Sequence, residues 1–175
     1  PKSNFIELTQ DSDIEKEGYQ LKITKNEISI FASDYKGFVN AMQSLRQLLP
    51  VEFESNKEQN TAWILPVITI NDAPRFGYRG LMLDVSRHFF EEDYILKTID
   101  RLAYHKMNVL HLHLVDDQGW RIEIKKYPKL TSVGGFRVDQ EDAAWSAREP
   151  NKPNDEATFG GFYTQEDIKE IVKYA

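Results

Sequence analysis

The chain has 175 residues, of which 28 are acidic and 22 basic, and it contains no cysteine. This length suits one sizeable domain or two small ones and is below the roughly 200 residues of even a small (β/α)₈ barrel. The net charge of -6 argues against a nucleic-acid binder, and the lack of cysteine excludes disulfides and cysteine metal sites. No apolar run approaches the roughly 18 residues of a membrane span. Because the chain begins at Pro1 rather than Met, we expect that an upstream segment has been removed.

Two short strands are predicted near the start of the chain, over residues 19–24 and 27–32. They are joined by Lys25-Asn26, in which Asn tolerates the left-handed conformation. A third strand over residues 64–70 contains Pro66, which favours an edge position or a bulge.

A helix is predicted between the second and third strands. Ser33 and Asp34 are suited to cap its beginning, and Pro50 ends it. Its apolar stripe at helical spacing consists of Phe38, Ala41, Met42, Leu45, Leu48 and Leu49. Residues 1–73 therefore predict a small α+β domain, which ends at the turn-forming residues 71–74.

Residues 74–175 alternate strands with helices, which is typical of an α/β fold. The apolar runs over 80–85 and 109–115 indicate parallel strands buried on both faces. The other predicted elements are a helix capped by Asp93, a short strand over 121–124, a long loop over 131–162 and a final helix opened by Thr164 and Asp167 as a capping box.

Chemically reactive side chains follow the strand over 109–115. Asp116 and Asp117 precede Gln118, Gly119 and Trp120. The carboxyl ends of parallel strands are where ligands bind, and paired carboxylates can orient an acid, hold a hydroxyl or ligate a metal. A turn cap is the alternative, since Asp is a common turn former, but the position after a buried strand favours a functional role. Trp120 is a candidate for stacking on a ligand.

A second polar group surrounds the strand over 80–85. Asp84 interrupts an apolar run, so a buried carboxylate is implied, with Arg87 and His88 as local partners. Arg79 precedes the strand and could serve either as a salt-bridge partner or as a clamp for vicinal hydroxyls or carboxylates.

His111 and His113 share one face of the strand over 109–115, because side chains alternate along a strand. Two such histidines can hold zinc, which leaves a metal-dependent hydrolase as an alternative. Hydrogen bonding within a packed layer is the simpler interpretation, and no metal is predicted.

Several of these motifs, in this order, resemble the β-N-acetylhexosaminidases of glycoside hydrolase family 20. The resemblance extends over nearly the whole chain and includes the small domain over residues 1–73. The motifs are Tyr78-Arg79-Gly80, Asp84-Val85-Ser86-Arg87-His88-Phe89, His111-Leu112-His113, Asp116-Asp117-Gln118-Gly119-Trp120 and Gly160-Gly161-Phe162-Tyr163-Thr164.

The resemblance implies the first part of a (β/α)₈ barrel and an exo-acting enzyme that releases terminal N-acetylhexosamine by substrate-assisted, retaining hydrolysis without a cofactor. Arg79 is then expected to bind the outer sugar hydroxyls, and Asp116 to support a histidine that polarises the catalytic acid. Asp117 either shares that role or holds the loop.

The Gly-Gly-Asp-Glu motif of the family, which carries the catalytic pair, is absent from these residues. We therefore expect this chain alone to be inactive and to self-associate through exposed barrel edges. Its expected partners are glycans with a terminal N-acetylhexosamine, and export is expected from the family. A non-catalytic carbohydrate-binding or interaction module is the remaining alternative.

Overall fold

The structure, a computed structural model, describes residues 4–150, 152 and 154–175. The chain divides into two compact units. The first comprises Pro1–Arg79 and Ala103–Met107, and the second comprises Gly80–Leu102 and Asn108–Ala175. The first unit is an α+β domain. It is larger than the predicted region 1–73, because it also includes the residues up to Arg79 and the segment Ala103–Met107. Among the described residues, no helix has the length and apolar character needed to cross a membrane.

The first unit contains a four-stranded sheet and one long helix. Its elements are β1 (Phe5–Gln10), β2 (Tyr19–Ile23), β3 (Glu27–Ala32), α1 (Tyr35–Leu48), a 3₁₀ helix (Val51–Glu54) and β4 (Ile68–Asp72). The strand order is β1-β3-β2-β4, with β1 and β3 parallel and the other pairs antiparallel. The sequence missed β1. The third strand was predicted at an edge or with a bulge because of Pro66. β4 does lie at an edge, but it runs over Ile68–Asp72 rather than over 64–70 and does not contain Pro66.

Helix α1 begins as predicted, because Asp34 caps it by accepting the backbone N–H of Gly37 at 2.9 Å. The predicted stripe was partly wrong. Ala41 and Leu45 are buried, but Met42 is 44% exposed. The buried face also carries Gly37, Asn40 and Ser44. An added Cβ at Gly37 would lie 2.3 Å from the carbonyl oxygen of Gly18, so the close approach of the helix requires glycine.

The connection between β2 and β3 is closed by a threonine rather than by a left-handed asparagine. The Thr24 hydroxyl accepts the backbone N–H of Asn26 at 3.2 Å and that of Glu27 at 3.1 Å. Asn26 is not among the residues with positive φ. A short side chain that bonds its own backbone is a common way to close a turn.

The second unit is built on a parallel strand pair. Its elements are β5 (Gly80–Asp84), most of α2 (Glu92–Tyr104), β6 (Val109–His113), β7 (Val115–Asp116), β8 (Gly119–Trp120), α3 (Lys129–Ser132), β9 (Phe136–Arg137), a 3₁₀ helix (Trp145–Ala147), β10 (Phe159–Gly160) and α4 (Gln165–Tyr174). β5 and β6 pair in parallel, and their two-stranded sheet forms an open part of an α/β fold rather than a closed barrel.

The two faces of the β5–β6 sheet differ. Leu83 and Leu112 lie side by side and pack against a core of Val85, Ile95, Tyr163 and Ile171. Met82 and His111 lie side by side on the opposite face, where Met82 is 53% exposed. The prediction that both faces of the strands are buried was therefore wrong for Met82 and His111. In the part of the chain that the structure describes, the core packs against the face that carries Leu83 and Leu112.

The capping box that opens α4 is confirmed. The Thr164 hydroxyl accepts the backbone N–H of Asp167 at 3.1 Å, and the Asp167 carboxylate accepts that of Thr164 at 2.7 Å. Two other predictions were wrong. Asp93 lies in the first turn of α2 rather than before it, and the predicted strand over 121–124 is reduced to a single bridge between Ile122 and Tyr163.

Candidate functional site

The turn after β5 is built around Asp84 and Arg87. Oδ1 of Asp84 accepts the backbone N–H groups of Ser86 and Arg87, both at 3.0 Å, and Oδ2 accepts Nη1 of Arg87 at 2.9 Å. Burial acts to raise the pKa of Asp84, but the backbone and side-chain hydrogen bonds from Arg87 outweigh it and lower that pKa. Asp84 therefore stays a carboxylate and holds the Arg87 guanidinium.

The Arg87 guanidinium also reaches residues that follow β6. Its Nη2 lies 2.7 Å from Oδ2 of Asp116, and its Nε donates to Oε1 of Gln118 at 2.9 Å. The Arg87 side chain is 41% exposed and that of Asp116 is 29% exposed. Arg87 thus connects the ends of two neighbouring parallel strands while its guanidinium remains open to solvent.

His113 and Asp116 form a second contact at the same place. Nε2 of His113 lies 2.8 Å from Oδ2 of Asp116, and Oδ1 of Asp116 accepts the backbone N–H of Asp117 at 2.8 Å. The Asp117 N–H, followed by the His113 hydrogen bond, lowers the pKa of Asp116 to about 2. Nη1 of Arg87 lies 3.1 Å from the same nitrogen of His113, so Nε2 faces both a carboxylate acceptor and a guanidinium donor.

Asp117 has a different environment from Asp116. β7 and β8 pair Val115 with Trp120 and Asp116 with Gly119, so Asp117 and Gln118 form the tip of a two-residue hairpin. Asp117 is exposed there. Its backbone supports Asp116, which agrees with a role in holding the loop.

Arg121 is a buried organising residue that the sequence did not single out. It has no exposed surface, and its guanidinium donates to the carbonyl oxygens of Val85 at 3.0 Å, Ser86 at 2.8 Å and Gly161 at 3.1 Å. A fourth bond reaches the carbonyl of Gly135. Arg121 therefore ties the turn after β5 to the segments around residues 135 and 161. Its position in the alternating run Arg121-Ile122-Glu123-Ile124 gave no sign that it is buried.

His88 does not join Asp84 and Arg87. Its Nδ1 lies 2.7 Å from Oε2 of Glu141, and its ring lies beside Phe90 and Phe159, with centroid distances of 4.7 and 5.4 Å. The structure therefore divides the expected cluster into an Asp84–Arg87 pair and a separate His88–Glu141 pair. Glu141 was not predicted, because nothing in its local sequence indicates a partner 53 residues away.

The tryptophans differ in their surroundings. Nε1 of Trp120 donates to the carbonyl of Ile122 at 2.7 Å, so its polar edge has a partner within the protein. Trp63 is 52% exposed and touches Phe53 edge-on, with ring centroids 6.4 Å apart. The side chain of Trp145 lies outside what the structure describes.

His111 and His113 lie on the same face of β6. His113 contacts Asp116, and His111 lies beside Met82 on the neighbouring strand. Among residues 4–150, 152 and 154–175, no group of three or more His, Cys, Asp or Glu side chains is arranged to hold a metal ion.

Arg79 directly precedes β5, at the end of the strand opposite to Asp84. Within the first unit, Nη2 of Arg79 lies 2.7 Å from Oε2 of Glu17, Nη1 donates to the carbonyl of Phe76 at 2.7 Å and Nε donates to the carbonyl of Lys106 at 2.7 Å. These contacts give Arg79 an evident structural role. Its expected contact with sugar hydroxyls stays a prediction.

Comparison with known proteins identifies both parts of the chain. Residues 76–175 match the family model described as glycosyl hydrolase family 20, catalytic domain, and residues 1–73 match that of glycosyl hydrolase family 20, domain 2. A β-hexosaminidase of Porphyromonas gingivalis is 43% identical, with 100% of this chain and 21% of that protein aligned. An N,N'-diacetylchitobiase of Vibrio harveyi is 41% identical over 90% of this chain and 17% of that protein.

Solved structures agree with the sequence relatives. A Vibrio harveyi exo-β-N-acetylglucosaminidase in complex with N-acetylglucosamine has a TM-score of 0.80 and 37% identity, over 97% of this chain and 25% of that one. A Streptomyces plicatus β-hexosaminidase mutant in complex with its product has a TM-score of 0.80 and 40% identity, over 97% of this chain and 31% of that one. The chain thus spans between 17% and 31% of the length of these relatives. It belongs to glycosyl hydrolase family 20, with domain 2 followed by the start of the catalytic domain.

Proposed function

We propose that the protein to which this chain belongs is an exo-acting β-N-acetylhexosaminidase, which removes terminal N-acetylglucosamine or N-acetylgalactosamine from glycans. The observation that carries this proposal is the group of Arg87, His113 and Asp116 at the carboxyl ends of β5 and β6. Barrel enzymes bind their substrates at that end of the strands. The names of the relatives, which are β-hexosaminidases and a chitobiase, support the same reaction.

Arg87 is the residue that best fits the binding of sugar hydroxyls. Its guanidinium presents a planar set of donors at the carboxyl end of β5, and its side chain is 41% exposed. Arg79, on which the family resemblance placed this role, precedes the strand and is engaged by Glu17, Phe76 and Lys106. A five-residue strand separates its ends by more than ~10 Å, so both arginines cannot approach the same hydroxyl at the strand end.

Asp116 fits a role in orienting an imidazole. Its pKa of about 2 keeps it ionised, and its Oδ2 already lies 2.8 Å from Nε2 of His113. In the complete catalytic domain, we propose that Asp116 supports a histidine that polarises the catalytic acid. The acetamido carbonyl of the substrate would attack the anomeric carbon, while a glutamic acid protonates the leaving oxygen.

The 175 residues do not carry that acid. The Gly-Gly-Asp-Glu motif is absent, and Asp155-Glu156 follows Asn154 in an exposed segment. We therefore propose that this chain alone does not turn over substrate.

The proposal is tested with chitobiose and an aryl N-acetyl-β-glucosaminide as substrates. We expect hydrolysis by the protein that contains the complete catalytic domain and none by the 175-residue chain. Hydrolysis by the 175-residue chain alone would refute the proposal that it is inactive. A complete protein that binds N-acetylglucosamine without hydrolysing either substrate would favour the non-catalytic binding module.

A further inference from the structure

Glu141 lies at the centre of three basic side chains in the second unit. Its Oε2 lies 2.7 Å from Nδ1 of His88, and its Oε1 accepts hydrogen bonds from Arg137 and, at 2.7 Å, from Arg148. Its side chain is 26% exposed. Burial acts to raise the pKa of Glu141, but the hydrogen bonds from its three partners lower it. The carboxylate is therefore charged at neutral pH.

The same cluster reaches the backbone of Arg87. Nη1 of Arg137 donates to the carbonyl oxygen of Arg87 at 2.8 Å, while Nη2 of the same guanidinium donates to Glu141. Residues 87 and 88 are consecutive, so one cluster holds the carbonyl of the first and the imidazole of the second. Phe90 and Phe159 flank that imidazole and restrict its rotation.

We infer that Glu141 is a positioning residue for Arg87, acting through His88 and Arg137. The inference rests on the proposed function, in which Arg87 binds the sugar hydroxyls. Asp84 and Asp116 hold the guanidinium of Arg87 from one side. The Glu141 cluster holds its backbone from the other. A binding group keeps its geometry when the residues behind it are themselves fixed, and an error of about 1 Å is costly.

The first test reads the protonation of His88 in the 175-residue chain. Because the Glu141 carboxylate can only accept, neutral His88 carries its proton on Nδ1. Long-range ¹⁵N–¹H NMR spectra at alkaline pH distinguish this tautomer. We expect the Nδ1–H form in the wild type and loss of that preference in Glu141→Ala, which removes the acceptor. Asp142→Asn, which removes a neighbouring exposed charge, is the control and should match the wild type.

The second test measures kinetics in the protein that contains the complete catalytic domain. A contact made to non-reacting hydroxyls stabilises the bound substrate and the transition state alike, so its loss raises KM and leaves kcat nearly unchanged. We expect Glu141→Ala to raise KM by about tenfold, Glu141→Gln to recover most of that loss, and Asp142→Asn to have no effect.

The outcomes separate the two proposals. A wild-type chain in which His88 carries its proton on Nε2, or an Ala variant with unchanged KM, would overturn the role of Glu141. An equal fall in kcat and in kcat/KM would also overturn it, because it would indicate a contact made in the transition state. A complete protein without hydrolytic activity would refute the proposed function, and the NMR result would still report whether Glu141 holds His88.

Discussion

Oε2 of Glu17 forms an ion pair with Nη2 of Arg79 at 2.7 Å. Both side chains are largely buried, with 10% of Glu17 and 18% of Arg79 exposed. Glu17 has a positive φ of 62°, and so does Lys106, at 56°, whose carbonyl accepts Nε of Arg79. Left-handed backbone is unfavourable for residues other than glycine. Arg79 therefore connects two strained positions of the first unit, and its contacts help to stabilise both.

Replacing Arg79 should destabilise the fold. In Arg79→Met, the buried carboxylate of Glu17 loses its guanidinium partner and keeps the ion pair with Lys36 at 3.3 Å, and we expect the free energy of unfolding to fall by about 2 kcal/mol. Urea denaturation followed by circular dichroism measures this loss. Arg75→Met removes an exposed arginine from the same segment and should change stability little. Equal stability of the two variants would contradict the structural role of Arg79.

The same ion pair should make stability depend on pH. Hydrogen bonding to Arg79 lowers the pKa of Glu17 from its ordinary value of 4.5, although burial opposes the shift. A lowered pKa in the folded state stabilises the protein above about pH 4.5, and this contribution is lost as the pH falls through the folded-state pKa. Urea midpoints of the wild type should fall on acidification below pH 4.5. Glu17→Gln, less stable at pH 7, should lose less on the same acidification.

Asp116 should titrate at unusually low pH. Its pKa of about 2 depends first on the backbone N–H of Asp117 and next on His113. In His113→Ala only the second contribution is lost, so we expect the pKa of Asp116 to rise and yet remain below 3.8. Carbon-detected NMR of the carboxyl group measures the titration, with His105→Ala, at an exposed position, as the control. A pKa that His113→Ala leaves unchanged would show that this hydrogen bond is absent in solution.

The first turn of α4 offers a direct measurement of capping. Thr164→Ala removes the hydroxyl that accepts the Asp167 N–H, and we expect a loss of about 1 kcal/mol in the free energy of unfolding. Thr164→Ser retains the hydroxyl and should lose much less. The exposed Thr158→Ala serves as the matched control in thermal or urea unfolding. Equal effects at positions 158 and 164 would argue against the capping box.

Arg87 and Arg79 can be distinguished by kinetics in the complete enzyme. Arg87→Lys keeps a positive charge but loses the planar set of donors, so we expect KM for an aryl N-acetyl-β-glucosaminide to rise by about tenfold or more. Arg79→Lys, assayed where it remains folded, should change KM by less than about twofold, since its partners belong to the protein. A larger effect at Arg79 than at Arg87 would restore the role that the family resemblance implies for Arg79.

Short sequence patterns predicted those features that depend on neighbouring residues in the chain. The cap at Asp34, the capping box at Thr164 and the position of Asp116 after a strand are all encoded within a few residues. β1 escaped prediction although Ile6 and Leu8 alternate with Glu7 and Thr9, and both apolar residues remain exposed at the sheet edge. In α1, the missing side chain of Gly37 lets the helix lie close to Gly18 and Ala32. The buried face of the helix therefore carries small and polar residues, and Met42 stays exposed.

The long-range parts of the site were not predictable from spacing. His88 and Glu141 are 53 residues apart, and Arg87 and Gln118 are 31 apart. Sequence proximity suggested that His88 would join Asp84, whereas the fold brings a carboxylate from a distant loop to it. The sequence already placed Arg79 and Arg87 on opposite sides of the predicted strand over 80–85, but their partners Glu17 and Asp116 are distant in the chain and were not predictable.

Arg121 implies that the segments around the site open together. One guanidinium bonds the carbonyls of Val85, Ser86, Gly135 and Gly161, which belong to three separate stretches of the chain. Separating any one stretch leaves a buried cation with fewer partners, which is unfavourable until the remaining bonds also break. Amide hydrogen exchange in these stretches should then share one opening free energy, so that the site behaves as a single cooperative unit rather than as three independent loops.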